Sequence, residues 1–333
     1  MDERAFLKEA LSRLGLWRGD VLPPFEPLTG GVSSDIWRVD LPGGPICIKR
    51  ALARLRVEMD WRAPVERNAY EVAWMETARK IEPDAAPEIL ASDKRAGLFA
   101  MPYLDPATHF PWKEELRQGR ADPAVAAEVG RRIGHIHSAT AGRHDIARQF
   151  PTDGIFHAIR LEPYLEATAT RHPDLRDILF GISRRTAGEK HALVHGDVSP
   201  KNILIGPKGP IFLDAECAWY GDPAFDIAFC LNHMLLKSLW NREASPLFHE
   251  CFGAMAPAWL SQIDWEPPAV AEARAASLLP GLFLGRVDGK SPVEYVTSET
   301  DRDRVRRVAR ALLLRPVDRL EGILEAWKKE LAR

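Results

Sequence analysis

Asp197 and Asn202 stand five residues apart in the run Leu193-Val194-His195-Gly196-Asp197-Val198-Ser199-Pro200-Lys201-Asn202. A third oxygen-bearing side chain, Asp214, closes the apolar run Ile211-Phe212-Leu213. Such a set suits phosphoryl transfer from a magnesium nucleotide. One carboxylate, Asp197, orients an attacking hydroxyl and takes its proton late. An amide oxygen (Asn202) and a carboxylate (Asp214) supply the few hard ligands magnesium asks of a protein when phosphates and water complete the shell. His195 is read as structural support for the loop, since loop polar groups are mostly satisfied locally. Asp226 has two readings. It either braces the loop by accepting backbone N–H groups, or is a first-turn charge in a helix opened by Asp222-Pro223.

A phosphate-binding partner is expected nearer the N-terminus. In Thr29-Gly30-Gly31-Val32-Ser33-Ser34, the glycines Gly30 and Gly31 let backbone approach phosphates closely, and Ser33 adds a hydroxyl. A plain β-turn is the competing reading, and no Gly-Lys-Ser/Thr follows to make a Walker loop. Lys49 ends the short run Ile46-Cys47-Ile48, 18 residues after Gly31. From there it reaches α- and β-phosphates, given a carboxylate to hold its ammonium. Glu71 is the chosen partner, with Glu66 and Glu76 as competitors.

These groups need elements to position them. Apolar spacing predicts a helix within 2–15, strands at 36–41 and 46–50 around a Pro-Gly-Gly-Pro turn, a helix over 65–80, and strands at 88–92 and 98–101. After residue 103 helices dominate, at about 123–140, 155–169, 174–187, 223–240, 267–280, 300–314 and 317–332. The strong β signal there is 203–214. The segment 237–266 resists assignment. A strand-rich first third and a helical remainder imply an α+β chain of two lobes, 1–103 and 104–333.

Composition narrows the function classes. The 333 residues are 46% apolar and 28% charged, with a formal net charge of −2. No global field draws the chain to nucleic acid or to an anionic membrane, and no apolar run approaches a membrane span. Cys47, Cys217, Cys230 and Cys251 form no CxxC pair, so buried free thiols in a reducing cytoplasm are expected. The acidic start Met1-Asp2-Glu3-Arg4 is unlike a signal peptide.

With these residues in view, the chain resembles the aminoglycoside phosphotransferase and choline kinase superfamily. The carriers are Thr29 to Ser34, Lys49, Glu71, His195 to Asn202, Leu213-Asp214-Ala215-Glu216 and Gly221-Asp222-Pro223-Ala224-Phe225-Asp226. The resemblance implies a protein-kinase-like bilobal fold, with a small antiparallel-sheet N-lobe and a large, mainly helical C-lobe. It implies ATP and Mg²⁺ bound between the lobes, with adenine against the 101–105 connection (Met101 and Tyr103). It assigns Gly30, Gly31, Ser33, Lys49 and Glu71 to the nucleotide, Asp197 to catalysis, and Asn202 and Asp214 to the metal. Phe156 to Leu165 and Asp214 to Gly221 also look like the methylthioribose kinase branch. The segment Gly285 to Pro292 does not match that branch's sugar-binding arginines, so the resemblance does not extend to its substrate.

The expectation is a small-molecule kinase acting on a hydroxyl of a sugar-like, amino alcohol or aminoglycoside acceptor. Its rivals are a protein kinase and a noncatalytic nucleotide-binding module. Candidates to line the acceptor pocket are Glu216, Trp219, Tyr220 and Arg286. Trp219 and Tyr220 have core packing as the alternative, and Arg286 and Lys290 have ordinary surface positions.

Overall fold

The computed structural model describes residues 2–28, 34–52 and 64–333. The first helix, α1 (Glu3–Arg13), is capped by Asp2, whose side chain accepts from the Arg4 amide. Its apolar stripe, Leu7, Ala10 and Leu11, is buried, and Leu7 and Leu11 pack with Trp37, Val39, Ile46, Ile48 and Ala100 of a sheet. Each fully buried leucine contributes about 1.5–3 kcal/mol. Gly15, at φ 71°, takes the left-handed turn that ends the helix.

The sheet has five strands: β1 (Phe25–Leu28), β2 (Ser34–Leu41), β3 (Gly44–Ala51), β4 (Ala91–Asp93) and β5 (Leu98–Pro102). Their order is β1-β2-β3-β5-β4 and every pairing is antiparallel. β2 and β3 form the hairpin expected around Pro42-Gly43-Gly44-Pro45, with Ile36 opposite Lys49. Helix α2 (Arg67–Ile81) packs on β3 and β5 and buries Glu71, Val72, Trp74, Met75 and Ala78. β1 went unforeseen because Phe25-Glu26-Pro27-Leu28 carries little alternation and a proline; it is an edge strand, where proline is tolerated.

Beyond β5 the chain is mainly helical. β6 (Phe110–Pro111) and α3 (Trp112–Arg117) precede α4 (Pro123–Thr140), capped by Asp122 with Pro123 at its first position. Short helices α5 (His144–Gln149) and α6 (Asp153–Phe156) lead into a widened π-helical segment, His157–Glu166. Pro163 lies inside it; proline has no N–H for the ladder, and a widened turn accommodates that loss. α7 (Ala167–Arg171) and α8 (Arg176–Gly188) follow. The helix expected at 155–169 is therefore three pieces.

β7 (Ala192–Val194) and β10 (Trp219–Gly221) pair across the loop region, while β8 (Ile203–Gly206) and β9 (Gly209–Phe212) form the hairpin foreseen at 203–214. The rest is α9 (Ala224–Trp240), α10 (Ser245–Leu260), α11 (Pro268–Asp288), α12 (Glu299–Leu314) and α13 (Leu320–Leu331). α10 falls in the segment that resisted assignment. α9 is buried along nearly its whole length, so it carries no polar face to mark its period. One large core runs through α2, α4, α9, α10 and α11. All four cysteines are buried free thiols. Among the described residues, no helix is long and apolar enough to cross a membrane.

Candidate active site

Asp226 organises the loop that follows β7. Its carboxylate is buried in the first turn of α9 and accepts from the amides of His195 and Gly196, both at 2.8 Å. His137 of α4 holds the same carboxylate at 3.1 Å. The carboxylate thus sits in a helix's first turn and accepts from loop amides at the same time. Gly196 has φ 80°, and a Cβ there would lie 2.6 Å from the Cys217 carbonyl oxygen. Only glycine fits that position.

His195 is buried and held through both ring nitrogens. Its Nδ1 accepts from the Asp197 amide at 3.1 Å, so the proton belongs on Nε2, which donates to the Leu213 carbonyl at 3.1 Å. Burial holds the ring neutral, below its ordinary range, against the pull of Asp226 and Asp197. The ring sits edge-on to Trp74, centroids 4.6 Å apart. Asn202 continues the stitching. Its Nδ2 donates to the Asp197 carbonyl at 3.1 Å, and its own carbonyl accepts from the Leu213 amide at 2.8 Å. Asn202 is thus tied by two hydrogen bonds to Asp197 and to Leu213, the neighbour of Asp214.

Asp214 has φ 65°, the one positive-φ residue other than glycine among the described residues. A non-glycine residue in that region is strained, and such positions gather at functional sites. Lys49 Nζ lies 2.5 Å from Asp214 Oδ1 and 2.6 Å from Glu71 Oε1. Burial works against the Lys49 ammonium, but Asp214 and Glu71 outweigh it and keep the amine protonated above its usual range. Burial also opposes ionisation of Asp214, and Lys49 and Lys201 outweigh it, holding the carboxyl low. At Glu71 burial prevails over Lys49 and pushes the carboxyl up. Lys49 thus bridges two carboxylates at nearly equal distances. Of the three helix glutamates considered, Glu71 is the one that meets Lys49.

Glu216 pairs with Arg67, one turn before Glu71 on α2, at 2.9 Å. Glu71, Asp214 and Glu216 gather three carboxylates around Lys49 and Arg67. Asn202 Oδ1 accepts no hydrogen bond among the described residues. Also among the described residues, no three His, Cys, Asp or Glu side chains are spaced to hold a metal unaided. Magnesium's habit of one or two protein carboxylates fits that donor set.

Arg160 had no role in the sequence reading. From the widened segment it places Nη2 2.8 Å from Asp197 Oδ2, and its Nε donates to the Gly196 carbonyl. Lys201 Nζ is 3.1 Å from the same Oδ2. The signal for Arg160 lay in the stretch Phe156 to Leu165, but nothing in its spacing ties it to a loop over 30 residues on.

Trp219 is 1% exposed, stacks on Phe156 at 4.1 Å and donates to Asp153. Tyr220 is buried and donates to the His191 carbonyl at 2.9 Å. Both pack the core rather than line a pocket, because pairing of β10 with β7 turns them into the helical lobe. Lys290 is spent on Glu162 at 2.5 Å. Arg286 is buried, not a surface charge, and donates to Tyr164 and Ser291. At the sheet's end, Met101 pairs with Cys47, the Tyr103 amide donates to Pro45, and Arg38 covers the Tyr103 ring at 4.7 Å. Gly30, Gly31 and Ser33 lie outside the described residues.

Residues 24–261 match the phosphotransferase enzyme family (APH), which is well over half of the chain. The chain belongs to this family. A methylthioribose kinase of Pectobacterium atrosepticum is 24% identical over 277 residues, covering 70% of this chain and 68% of that protein. The chain spans about half the length (53%) of the similar Yersinia methylthioribose kinases. Among solved structures, a choline kinase from Cryptosporidium parvum aligns over 99% of this chain and 100% of its own, with a TM-score of 0.57 at 12% identity. An amicoumacin kinase in complex with AMP-PNP, Ca²⁺ and Ami aligns over 96% of each chain, with a TM-score of 0.54 at 14% identity. The family fold is the kinase-like α+β architecture expected, a small antiparallel sheet followed by a mainly helical body.

Proposed function

We propose that this phosphotransferase moves the γ-phosphate of ATP to a hydroxyl of a small molecule, with Mg²⁺. The observation that carries the reading is the meeting of Lys49, Asp197, Asn202 and Asp214 around one loop, although they come from positions 165 residues apart. The family's phosphotransferase character and a relative held with AMP-PNP support ATP as the donor.

Asp197 accepts the hydroxyl's hydrogen bond and takes its proton as the bond to phosphorus forms. Its Oδ2 is engaged by Arg160 and Lys201, so Oδ1 is the oxygen left to face the acceptor. Arg160 is a positioning residue: it fixes the carboxylate and the Gly196 carbonyl beside it. Lys49 neutralises phosphate oxygens, with Glu71 setting its place. Asn202 and Asp214 would hold magnesium, which supplies charge neutralisation on the triphosphate. Gly30, Gly31 and Ser33 cover the phosphates in this reading, and Met101 and Tyr103 meet the adenine. The two lobes divide near residue 103, with 1–103 serving the nucleotide and 104–333 the acceptor. Localised charge and a positioned base contribute about 10²–10⁴-fold each.

The test is ADP formation with a panel of hydroxylated metabolites. Asp197→Ala is expected to abolish turnover while keeping ATP binding and the folded state. Equal turnover in wild type and that variant would reject the proposal.

A further inference from the structure

Beside the Asp197 loop lies a group of cations with too few carboxylates. Tyr164 joins the two regions: Arg160, which holds Asp197, has its guanidinium 5.9 Å from the Tyr164 ring, and Arg286 of α11 has its own 5.4 Å from the same ring. α9 presents Phe229, His233 and Lys237 at four-residue spacing, on one face. Phe229 meets Tyr164 at 5.4 Å and His233 at 5.5 Å between ring centroids. Tyr295 hydroxyl stands 3.5 Å from His233 Nδ1.

Lys237 is the unusual member. It is 1% exposed, yet makes no ion pair or hydrogen bond among the described residues. Its ammonium rests only on the rings of Trp240, at 4.1 Å, and Tyr295, at 4.6 Å. A buried ammonium without a counter-ion costs several kcal/mol in a folded chain, so Lys237 sheds its proton readily unless an anion comes to meet it. Arg286 is similarly short of partners. It has no carboxylate, and its buried Nε has no hydrogen-bond partner. The nearby Lys113 is taken by Glu294 at 2.5 Å, and Lys201 shares Asp197 with Arg160. Five cations, Arg160, Lys201, Lys113, Lys237 and Arg286, thus face three carboxylates, Asp197, Asp214 and Glu294. Their field is felt at His233, where burial and then Arg286, Lys237, Lys201 and Lys113 hold the ring neutral.

We propose that the hydroxyl acceptor carries an anionic group, a carboxylate or a phosphate ester, that docks on Lys237 and Arg286. This rests on the phosphotransfer reading for the role of the neighbouring Asp197, and deepens it by naming the acceptor's charge. An anion there supplies the missing counter-ion and accepts from Arg286 Nε. A polycationic acceptor meets repulsion from the same five groups.

The experiment compares matched compounds differing in charge: polyols, aldonates, sugar phosphates and amino sugars, with inorganic phosphate as a minimal probe. Binding is read by thermal shift and calorimetry with AMP-PNP and Mg²⁺ saturating. At least one anionic member is expected to bind wild type ten-fold or more tighter than its neutral counterpart. Lys237→Met is expected to lose that preference and Lys237→Arg to keep it. Preference for aldonates over sugar phosphates, or the reverse, identifies the anion. Neutral or amino members binding as tightly as acids, an anion preference that survives in Lys237→Met, or no compound distinguishing wild type from Lys237→Met would each overturn the proposal. The AMP-PNP shift alone is measured separately. Its absence would count against the nucleotide reading, while the inorganic phosphate and aldonate arms still report on Lys237.

Discussion

Arg160 Nη2 and Asp197 Oδ2 lie 2.8 Å apart, with both side chains over nine-tenths buried. Burial opposes the guanidinium charge and Asp197 more than offsets it, so the ion pair is kept. A buried pair of this kind is a device for fixing geometry more than a source of net stability. Here it fixes the carboxylate that, in the proposed reaction, meets the hydroxyl.

Removing Arg160 should therefore damage turnover more than nucleotide binding. Arg160→Lys is expected to lower kcat about 10–100-fold with little change in the KM for ATP, since a ~1 Å misplacement is enough for such a loss. Arg160→Met is expected to cost stability as well, about 3–5 kcal/mol, by leaving a buried charge short of its partner. Steady-state kinetics and urea unfolding of the two variants check both. A shift of the acidic limb of the kcat profile in Arg160→Lys would mark the positioning role.

The Lys49 arrangement predicts non-additivity. Lys49→Met leaves Glu71 and Asp214 facing each other in the interior and is expected to lower both melting temperature and kcat/KM for ATP, the latter by at least about 100-fold. Adding Glu71→Gln should restore much of the stability and none of the turnover. A double-mutant cycle in Tm and kcat/KM measures this, with additive effects contradicting it.

Asp226 anchors the loop through two amides and His137. Asp226→Ala should destabilise by about 3 kcal/mol or more, since it orphans buried donors that no water readily reaches. Asp226→Asn, which keeps one acceptor oxygen, should fall between. Urea midpoints at constant m-value are the measurement.

Lys237 makes stability depend on pH. Burial, then Lys113, brings its amine down to about 7 from an ordinary 10.5. Below about pH 7 the amine is charged in both folded and unfolded chains, and the cost of burying it is fully present. Between there and pH 10.5 folding releases a proton, so stability rises with pH. Lys237→Met removes the cost. The variant should be more stable than wild type by a few kcal/mol near pH 7, at about 1.4 kcal/mol per pKa unit, with the gain fading toward pH 10. Melting curves at pH 6, 8 and 10 test the trend.

How much of this was legible in the sequence follows from where each signal lives. The segment from His195 to Asn202, with Asp214, could be read because its residues act locally, through one loop and one hairpin. Lys49 was legible as a charge ending an apolar run, and Glu71 only as one of three glutamates on the expected helix. Helix α4 was placed at 123–140 because Asp122-Pro123 announces its start. Arg160 was not legible, since its partner comes from a distant loop and a proline-widened turn sets its direction. The roles of Trp219 and Tyr220 were open because an aromatic pair next to a functional loop has the same composition whether it packs inward or outward. Lys237 was hidden differently: a lysine in α9 looks like a solvent-facing residue until the helix is known to be buried on every side.

The most direct test of the central claim is ³¹P NMR of ATP, Mg²⁺ and a hydroxylated acceptor with the wild-type chain and with Asp197→Ala. Conversion of the γ-phosphate signal into a phosphate monoester by wild type alone, with both chains binding AMP-PNP, is the predicted result. Monoester formed equally by the two, or ATP bound and left intact by wild type across the full acceptor panel, would contradict it.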